Sequence, residues 1–180
     1  MNVDFSIALL LVRVVFGVSL AAHGAQKLFG WWGGPGLTGF AGWLGSMGVR
    51  SPKVSALFAA LGEAGGGLLL ALGLLTPLAA VAMVTVMLTA VAMVHAGKGF
   101  FVSNGGWEYN LSIIAVALAA ATSGPGKYSL DNALGLTGSS YRGWEWGLGV
   151  LVIGLVLTGL NVASKRKVPS ESGTDTIVTS

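Results

Sequence analysis

Long apolar stretches, separated by short polar breaks, dominate this chain of 180 residues. A helix needs about 20 predominantly apolar residues to cross a bilayer. Five stretches approach that length, at residues 5–23, 54–75, 78–95, 109–123 and 146–163. The second and third are separated at Thr76-Pro77, because proline ends a helix at or before its predecessor, so they form a helical hairpin. The fourth is short and is expected to begin at Trp107 or Glu108.

The loop between the first two stretches has a helical pattern of its own. A glycine-rich run containing Trp31 and Trp32 comes first. Apolar residues then recur at helical spacing, at Leu37, Phe40, Trp43, Leu44 and Met47. This spacing predicts a short amphipathic helix that lies in the membrane interface. A re-entrant cap over the helix bundle is the alternative. The predicted fold is thus an all-α membrane protein with a four-helix bundle, a fifth C-terminal transmembrane helix and one interfacial helix.

The composition supports the membrane class and excludes several functions. Only 9% of the residues are charged and 53% are apolar, whereas about a quarter are charged in a soluble domain. Three of the ten Lys and Arg residues follow the last apolar stretch at 165–167, a membrane-flank pattern that argues against nucleic acid as a partner. The chain has no cysteine, which excludes a dithiol centre or an iron–sulfur cluster. Any redox role requires a bound organic cofactor or a partner protein.

The basic residues are unevenly divided between alternate loops. One set of loops carries Lys27, Arg50, Lys53, Lys98 and residues 165–167, and the other set carries Lys127 and Arg142. Because basic loops stay in the cytoplasm, we expect the N-terminus outside and the C-terminus inside. Residues 1–164 form a single transmembrane domain in this interpretation. The polar residues 165–180 are predicted to be a disordered cytoplasmic tail.

Two ionisable residues lie inside apolar stretches, where an unpaired charge is costly. Arg13 also argues against a cleaved signal peptide, because it interrupts the apolar region that such a peptide needs. If Lys27 and Lys53 mark the same membrane face, Arg13 lies about 21 Å and Glu63 about 15 Å inward of it. The sequence therefore predicts a buried Arg13–Glu63 ion pair, which either fixes two helices or contributes to a site.

Further polar residues are predicted to gather near the cytoplasmic ends of the helices. The candidate ligand-binding residues are His23, Gln26, Lys27, Glu63, His95, Glu108 and Asn110. Histidine, amide and carboxylate groups suit a quinone headgroup or another small polar ligand. Two histidines on different helices are weak evidence for haem. A metal site is not predicted, because no His-x-x-Glu or His-x-x-x-His spacing exists.

Six short runs of this sequence resemble the DoxX family. They are Arg13-Val-Val-Phe-Gly17, His23-Gly-Ala-Gln-Lys27-Leu-Phe-Gly30, Gly62-Glu63-Ala-Gly-Gly66, Gly97-Lys-Gly-Phe-Phe101, Gly106-Trp-Glu108-Tyr-Asn110-Leu111 and Gly124-Pro-Gly-Lys-Tyr128-Ser-Leu-Asp131. The resemblance implies a bacterial inner-membrane protein with a four-helix core at residues 5–131. It also implies an association with quinone-linked sulfur oxidation, terminal oxidase complexes or oxidative-stress assemblies. The fifth segment is an addition to the family pattern, and it docks either on the core or on a partner.

Three functions remain open at this stage. The first is a quinone- or quinol-interacting component of a membrane oxidoreductase or oxidative-stress system. The second is a non-catalytic accessory or assembly subunit of a respiratory membrane complex, with partner subunits or a second copy of the chain around it. A small-solute carrier is disfavoured, because five helices show no inverted repeat of broken segments.

Overall fold

The structure is a computed structural model that describes residues 3–137 and 143–164. Within these residues the protein is helical throughout and has no strand. The helices are α1 (Val3–Phe29), α2 (Gly36–Ser46), α3 (Pro52–Leu72), α4 (Thr76–Ala90), α5 (Glu108–Ser123), α6 (Leu130–Ala133) and α7 (Trp144–Ala163). Helix α4 continues through a π-helical turn at Val91–His95 and a 3-10 turn at Ala96–Lys98. The predicted tail at 165–180 lies outside the described residues.

Four of the five predicted segments form helices that are long and apolar enough to cross a membrane. These are Phe5–Phe29, Pro52–Leu72, Thr76–Lys98 and Trp144–Ala163. Helix α5 begins at Glu108, as the sequence predicts, and contains 16 residues. Sixteen residues rise about 24 Å, which is less than the about 30 Å of hydrocarbon in a bilayer.

Successive long helices run in opposite directions, which defines two ends of the bundle. Helices α1 and α3 are antiparallel, because Gly17 packs on Ala71 while Gly24 packs on Ala64. Helix α7 runs parallel to α4, since Gly154 packs on Val84 and Thr158 lies beside Thr89. We call the end where α1 and α4 finish and α3 and α5 begin the lysine end. The opposite end, where the α3–α4 turn lies, is called the arginine end.

The core is formed where α1, α3, α4 and α5 meet. Helix α1 packs most extensively on α3, and α4 packs on both α3 and α5. The side chains of Leu20, Leu70, Met83 and Ile113 are fully buried between these helices. Helix α7 packs on α4 and α5. The fifth helix therefore docks on the core of its own chain, one of the two possibilities that the sequence left open.

Small residues allow α7 to approach the core closely. Gly147 lies against Thr122 of α5 and Gly154 against Val84 of α4. Thr158 is buried, and its hydroxyl donates to the carbonyl oxygen of Thr85 at 3.3 Å. Asn161, about one turn further along α7, is exposed and donates to the carbonyl oxygen of Leu157 instead. The contact between α7 and the core thus ends about one turn before Asn161.

Helix α2 packs across the lysine end of α1 and α3. Phe40, Ala41 and Leu44 are buried on its inner face, next to Val49 and Ala56. Trp43 belongs to the predicted apolar stripe, yet it is 45% exposed and stacks on the outer side of Phe40. The apolar face of α2 is therefore covered by protein, and α2 adds a layer between the ends of α1 and α3.

Candidate functional site

The predicted Arg13–Glu63 pair is wrong. Glu63 Oε1 instead forms an ion pair with the Lys27 ammonium. Arg13 lies fourteen residues before Lys27, about 21 Å away along α1. The prediction assumed that Lys27 and Lys53 lie at the same depth. Because Lys27 contacts a residue ten positions further along α3 than Lys53, the two lysines differ by about 15 Å. The layer formed by α2 causes this offset.

The Lys27–Glu63 pair lies next to Phe40 of α2, with Glu63 buried and Lys27 partly exposed. Glu63 is 3% exposed, and the ring of Phe40 lies 5.1 Å from the Lys27 ammonium, within cation–π range. Only one of the two Glu63 carboxylate oxygens, Oε1, contacts the Lys27 ammonium. Glu63 Oε2 is buried and has no hydrogen-bond partner among the described residues. A buried polar atom without a partner is costly, so this oxygen is an acceptor available to a ligand or to water.

One turn before Lys27, His23 lies on the exposed surface of α1. Its Nδ1 is 2.9 Å from the carbonyl oxygen of Ser19. A carbonyl can only accept, so the proton of the neutral ring is on Nδ1 and Nε2 is an acceptor. The ring centroid of Tyr109 in α5 lies 5.7 Å from that of His23, and the Tyr109 hydroxyl is 3.0 Å from Ser19 Oγ.

Sequence reasoning missed both Ser19 and Tyr109. The available signal for Tyr109 was its position between Glu108 and Asn110, two predicted site residues. Ser19 had no signal, because a single serine in an apolar helix is common as a local hydrogen-bond donor.

The structure does not bring His95 to this cluster. Gly66 packs on Ala82 and Gly62 on Val86, so the midpoint of the α3–α4 hairpin is at Leu74. The sequence predicts the break at Thr76-Pro77, and counting along both helices from Pro77, three residues too late, puts His95 and Glu63 about one turn apart in depth. In the observed register His95 faces the start of α3, about 15 Å from the level of Glu63. Its Nδ1 is 2.6 Å from the carbonyl oxygen of Gly105.

The remaining predicted site residues have other surroundings. Asn110 is buried, and its side-chain amide donates to the sulfur of Met87 at 3.4 Å. Gln26 is half-buried, with Gly34 of the first loop packed on it. Glu108 begins α5, and its backbone N–H donates to the carbonyl oxygen of Phe100 at 2.9 Å. Of the seven predicted residues, Lys27 and Glu63 are thus in direct contact, and His23 lies about one turn before Lys27 on α1.

A second polar cluster lies at the arginine end. The Arg13 side chain is fully buried, and its Nη2 donates to the carbonyl oxygen of Tyr128 at 2.5 Å. The guanidinium lies directly against Gly73, where any side chain would collide with it. Asp131, also fully buried, interacts with Arg13 electrostatically. This cluster joins α1 to the α3–α4 turn and to the loop after α5.

Asp131 also caps α4. One of its oxygens accepts from the backbone N–H of Leu75 at 2.7 Å. The other accepts from the backbone N–H and the hydroxyl of Thr76 at 3.0 and 2.8 Å. These are unpaired donors of the first turn of α4, and a carboxylate at a helix N-terminus is also favoured by the helix dipole. Sequence reasoning recorded Asp131 only as the end of a family-like run and assigned it no role.

Potential metal ligands do not converge in the described part of the chain, where no three His, Asp or Glu residues form a group that could hold a metal ion. The two polar clusters are instead hydrogen-bonding and charge-pairing sites. They lie at different levels of a bundle whose outer surface is apolar.

These features define a multi-pass helical membrane protein with buried ionic clusters. The DoxX family model matches residues 8–96, and the chain belongs to the DoxX family. The chain is also similar to a Bacillus subtilis (strain 168) protein named "Putative oxidoreductase CatD", at 31% identity over 119 residues. The match covers 66% of this chain and 82% of the Bacillus protein. No solved structure matches the chain.

Proposed function

We propose that the protein is a quinone- or quinol-interacting component of a membrane oxidoreductase or oxidative-stress system. The observation that carries the proposal is the Glu63 carboxylate. It is buried, it is held by Lys27 through one oxygen, and its second oxygen has no hydrogen-bond partner among the described residues. The name of the Bacillus relative, which contains the word oxidoreductase, supports the same class of function.

The groups around Glu63 suit both redox forms of a quinone headgroup. A quinone presents two carbonyl acceptors, and Lys27 can donate to one of them. A quinol presents two hydroxyl donors, which Glu63 Oε2 and His23 Nε2 can accept. His23 is exposed on an apolar helix, so a headgroup could reach it while an isoprenoid tail stayed among lipid chains. The chain has no cysteine, so the electrons must pass to a partner or to another organic cofactor.

Labelling with a photoreactive azidoquinone in lipid nanodiscs tests this proposal. Removing one charge-assisted hydrogen bond costs about 1.5–3 kcal/mol, so Glu63→Gln and Lys27→Gln should each lower the apparent affinity at least about tenfold. His23→Gln should lower it less, because its Nε2 would contribute a neutral hydrogen bond. His95→Gln is the matched control, since His95 lies about 15 Å from the level of Glu63.

Competition by unlabelled quinone must accompany each labelling measurement, and circular dichroism must show that each variant keeps its helices. Equal labelling of the wild type and all four variants would contradict the proposed site.

A non-catalytic accessory or assembly subunit is the second candidate function. The arginine end favours it, because Arg13 and Asp131 bind backbone groups of their own chain and so have a structural role. If the Lys27–Glu63 pair has the same kind of role, the chain would serve as a scaffold for respiratory subunits or for a second copy of itself. Quinone labelling that is independent of all four residues would favour this function.

We further propose that the chain crosses a bacterial inner membrane five times, with α2 at the interface, the N-terminus outside and the lysine end in the cytoplasm. Alternating helix directions support an odd number of passes, because α1 begins at the arginine end and α7 finishes at the lysine end. Helix α5 packs along α4 and α7, both of which belong to segments long enough to cross a bilayer. Lys53 and Lys98 share the lysine end, as basic cytoplasmic loops would.

Single cysteines at Asn2 and Ser172 test the orientation in a chain that has no native cysteine. An impermeant maleimide should label the Asn2→Cys protein in intact cells. The Ser172→Cys protein should be labelled only after the membrane is permeabilised. Strong labelling of Ser172→Cys in intact cells would reverse the proposed orientation.

A further inference from the structure

Three exposed cations lie together at the lysine end. Arg50 is in the turn before α3, Lys53 is in the first turn of α3, and Lys98 ends the extension of α4. The hairpin register places the start of α3 beside the end of α4, so Lys53 and Lys98 are neighbours in the bundle. None of these three residues forms an ion pair in the described part of the chain. The ion pair found there joins Lys27 and Glu63.

Exposed aromatic side chains also lie at the lysine end. The first loop presents Trp31 and Trp32, which are 54% and 70% exposed, and the loop after α4 presents Phe101 at 63%. The two indoles contact each other edge to face, with centroids 5.5 Å apart, and Trp32 is held at a φ of 51°. A bulky residue rarely adopts a positive φ, so the loop holds this indole outward at some conformational cost. Indoles favour the headgroup layer of a bilayer, so the outward-held tryptophans mark the membrane interface at this end of the bundle.

The two ends differ in charge. At the lysine end Arg50, Lys53 and Lys98 outnumber the half-buried Glu108, and Lys27 is neutralised by Glu63. At the arginine end Arg13 and Asp131 are both buried. The exposed charges described there are Lys127 and Glu145, which balance each other. Net positive charge on the exposed described residues is thus confined to one end.

We infer that the lysine end is a docking surface for anionic phospholipid headgroups. Arg50, Lys53 and Lys98 supply the charge that attracts the lipid phosphates, and the exposed tryptophans insert in the headgroup layer at the same end. A basic residue near an anionic membrane surface contributes about fivefold to the affinity, and salt weakens the attraction. The surface is separate from the Lys27–Glu63 pair, which lies about 15 Å deeper along α3.

Quenching of tryptophan fluorescence by brominated lipids tests this inference on the full chain. Four of the six tryptophans, at positions 31, 32, 43 and 107, lie at the lysine end, so they report on lipid bound there. In bilayers that mix dibromo-phosphatidylglycerol with phosphatidylcholine, the wild type should prefer the anionic lipid by about fivefold or more. The triple variant Arg50→Gln, Lys53→Gln, Lys98→Gln should lower that preference by about fivefold or more. Residues 165–167 stay unchanged in every variant.

The matched single substitutions are Lys53→Gln at the lysine end and Lys127→Gln at the arginine end. Each removes one exposed charge, but only Lys53→Gln should reduce the preference. Half-molar salt should reduce the wild-type preference as well. A triple variant that still prefers phosphatidylglycerol as strongly as the wild type, or an equal loss in Lys127→Gln, would overturn the inference.

Discussion

Replacing Asp131 with asparagine is expected to destabilise the protein by about 3–5 kcal/mol. The substitution removes the charge of a fully buried carboxylate that interacts electrostatically with the fully buried Arg13, so the cation loses this compensation. It also removes one of the two oxygens that accept from the first turn of α4. The free energy of unfolding in detergent micelles, followed by circular dichroism during titration with a denaturing detergent, measures the effect.

The double variant Arg13→Gln, Asp131→Asn separates charge pairing from simple loss of contacts. If the two side chains are coupled, the double variant should be more stable than the sum of the single losses implies, by about 0.5–3 kcal/mol. Glu145→Gln is a suitable control, because this exposed carboxylate at the same end should change stability by less than about 0.5 kcal/mol. Strictly additive losses for Arg13 and Asp131 would show that the two charges are independent.

Gly67→Ala is expected to have the second large effect, a loss of about 1–3 kcal/mol. A Cβ at Gly67 would lie 2.5 Å from the carbonyl oxygen of Gly17 and 2.6 Å from the backbone nitrogen of Ala21. Both are backbone atoms of α1 and cannot rotate away, so α1 and α3 must separate. The separation removes packing along the most extensive helix contact of the fold. The same detergent titration measures the loss.

Gly65→Ala provides a control two residues away on the same helix. Nothing lies within 4 Å of a Cβ at Gly65. Because alanine favours a helix by about 1 kcal/mol over glycine, this variant should be as stable as the wild type or slightly more stable. If Gly67→Ala and Gly65→Ala had equal stability, close approach of α1 and α3 at Gly67 would not contribute to the fold.

The sequence was sufficient to predict the helical class and the positions of the long helices. Apolar runs of membrane length mark α1, α3, α4 and α7, and Pro77 marks the break in the hairpin. The start of α5 at Glu108 was also predictable. These features depend on local composition, and a sequence carries that information directly. The same holds for the resemblance to the DoxX family, which the family match confirms.

The site was harder to predict, because it depends on how helices are offset along their axes. The partner of Glu63 changes from Arg13 to Lys27 when α3 shifts by ten residues relative to α1. That shift results from the packing of α2, which counting along the chain cannot measure. The misplaced hairpin apex had a similar effect on His95. Asp131 was missed because it lies in the four-residue helix α6, which is too short to show a periodicity from which the direction of a side chain can be inferred.

The position of the Arg13 partners also constrains how the protein is made. Arg13 donates to a carbonyl 115 residues later in the chain, and Asp131 is further still. At about 5–20 residues per second, a ribosome needs roughly 6–24 seconds to synthesise the intervening segment. During that interval α1 has left the ribosome with an arginine whose partners do not yet exist. A buried charge without its partners is costly, so the Arg13 side chain stays near water or headgroups during this interval. Its final burial against Gly73 has to wait until the loop after α5 has been synthesised.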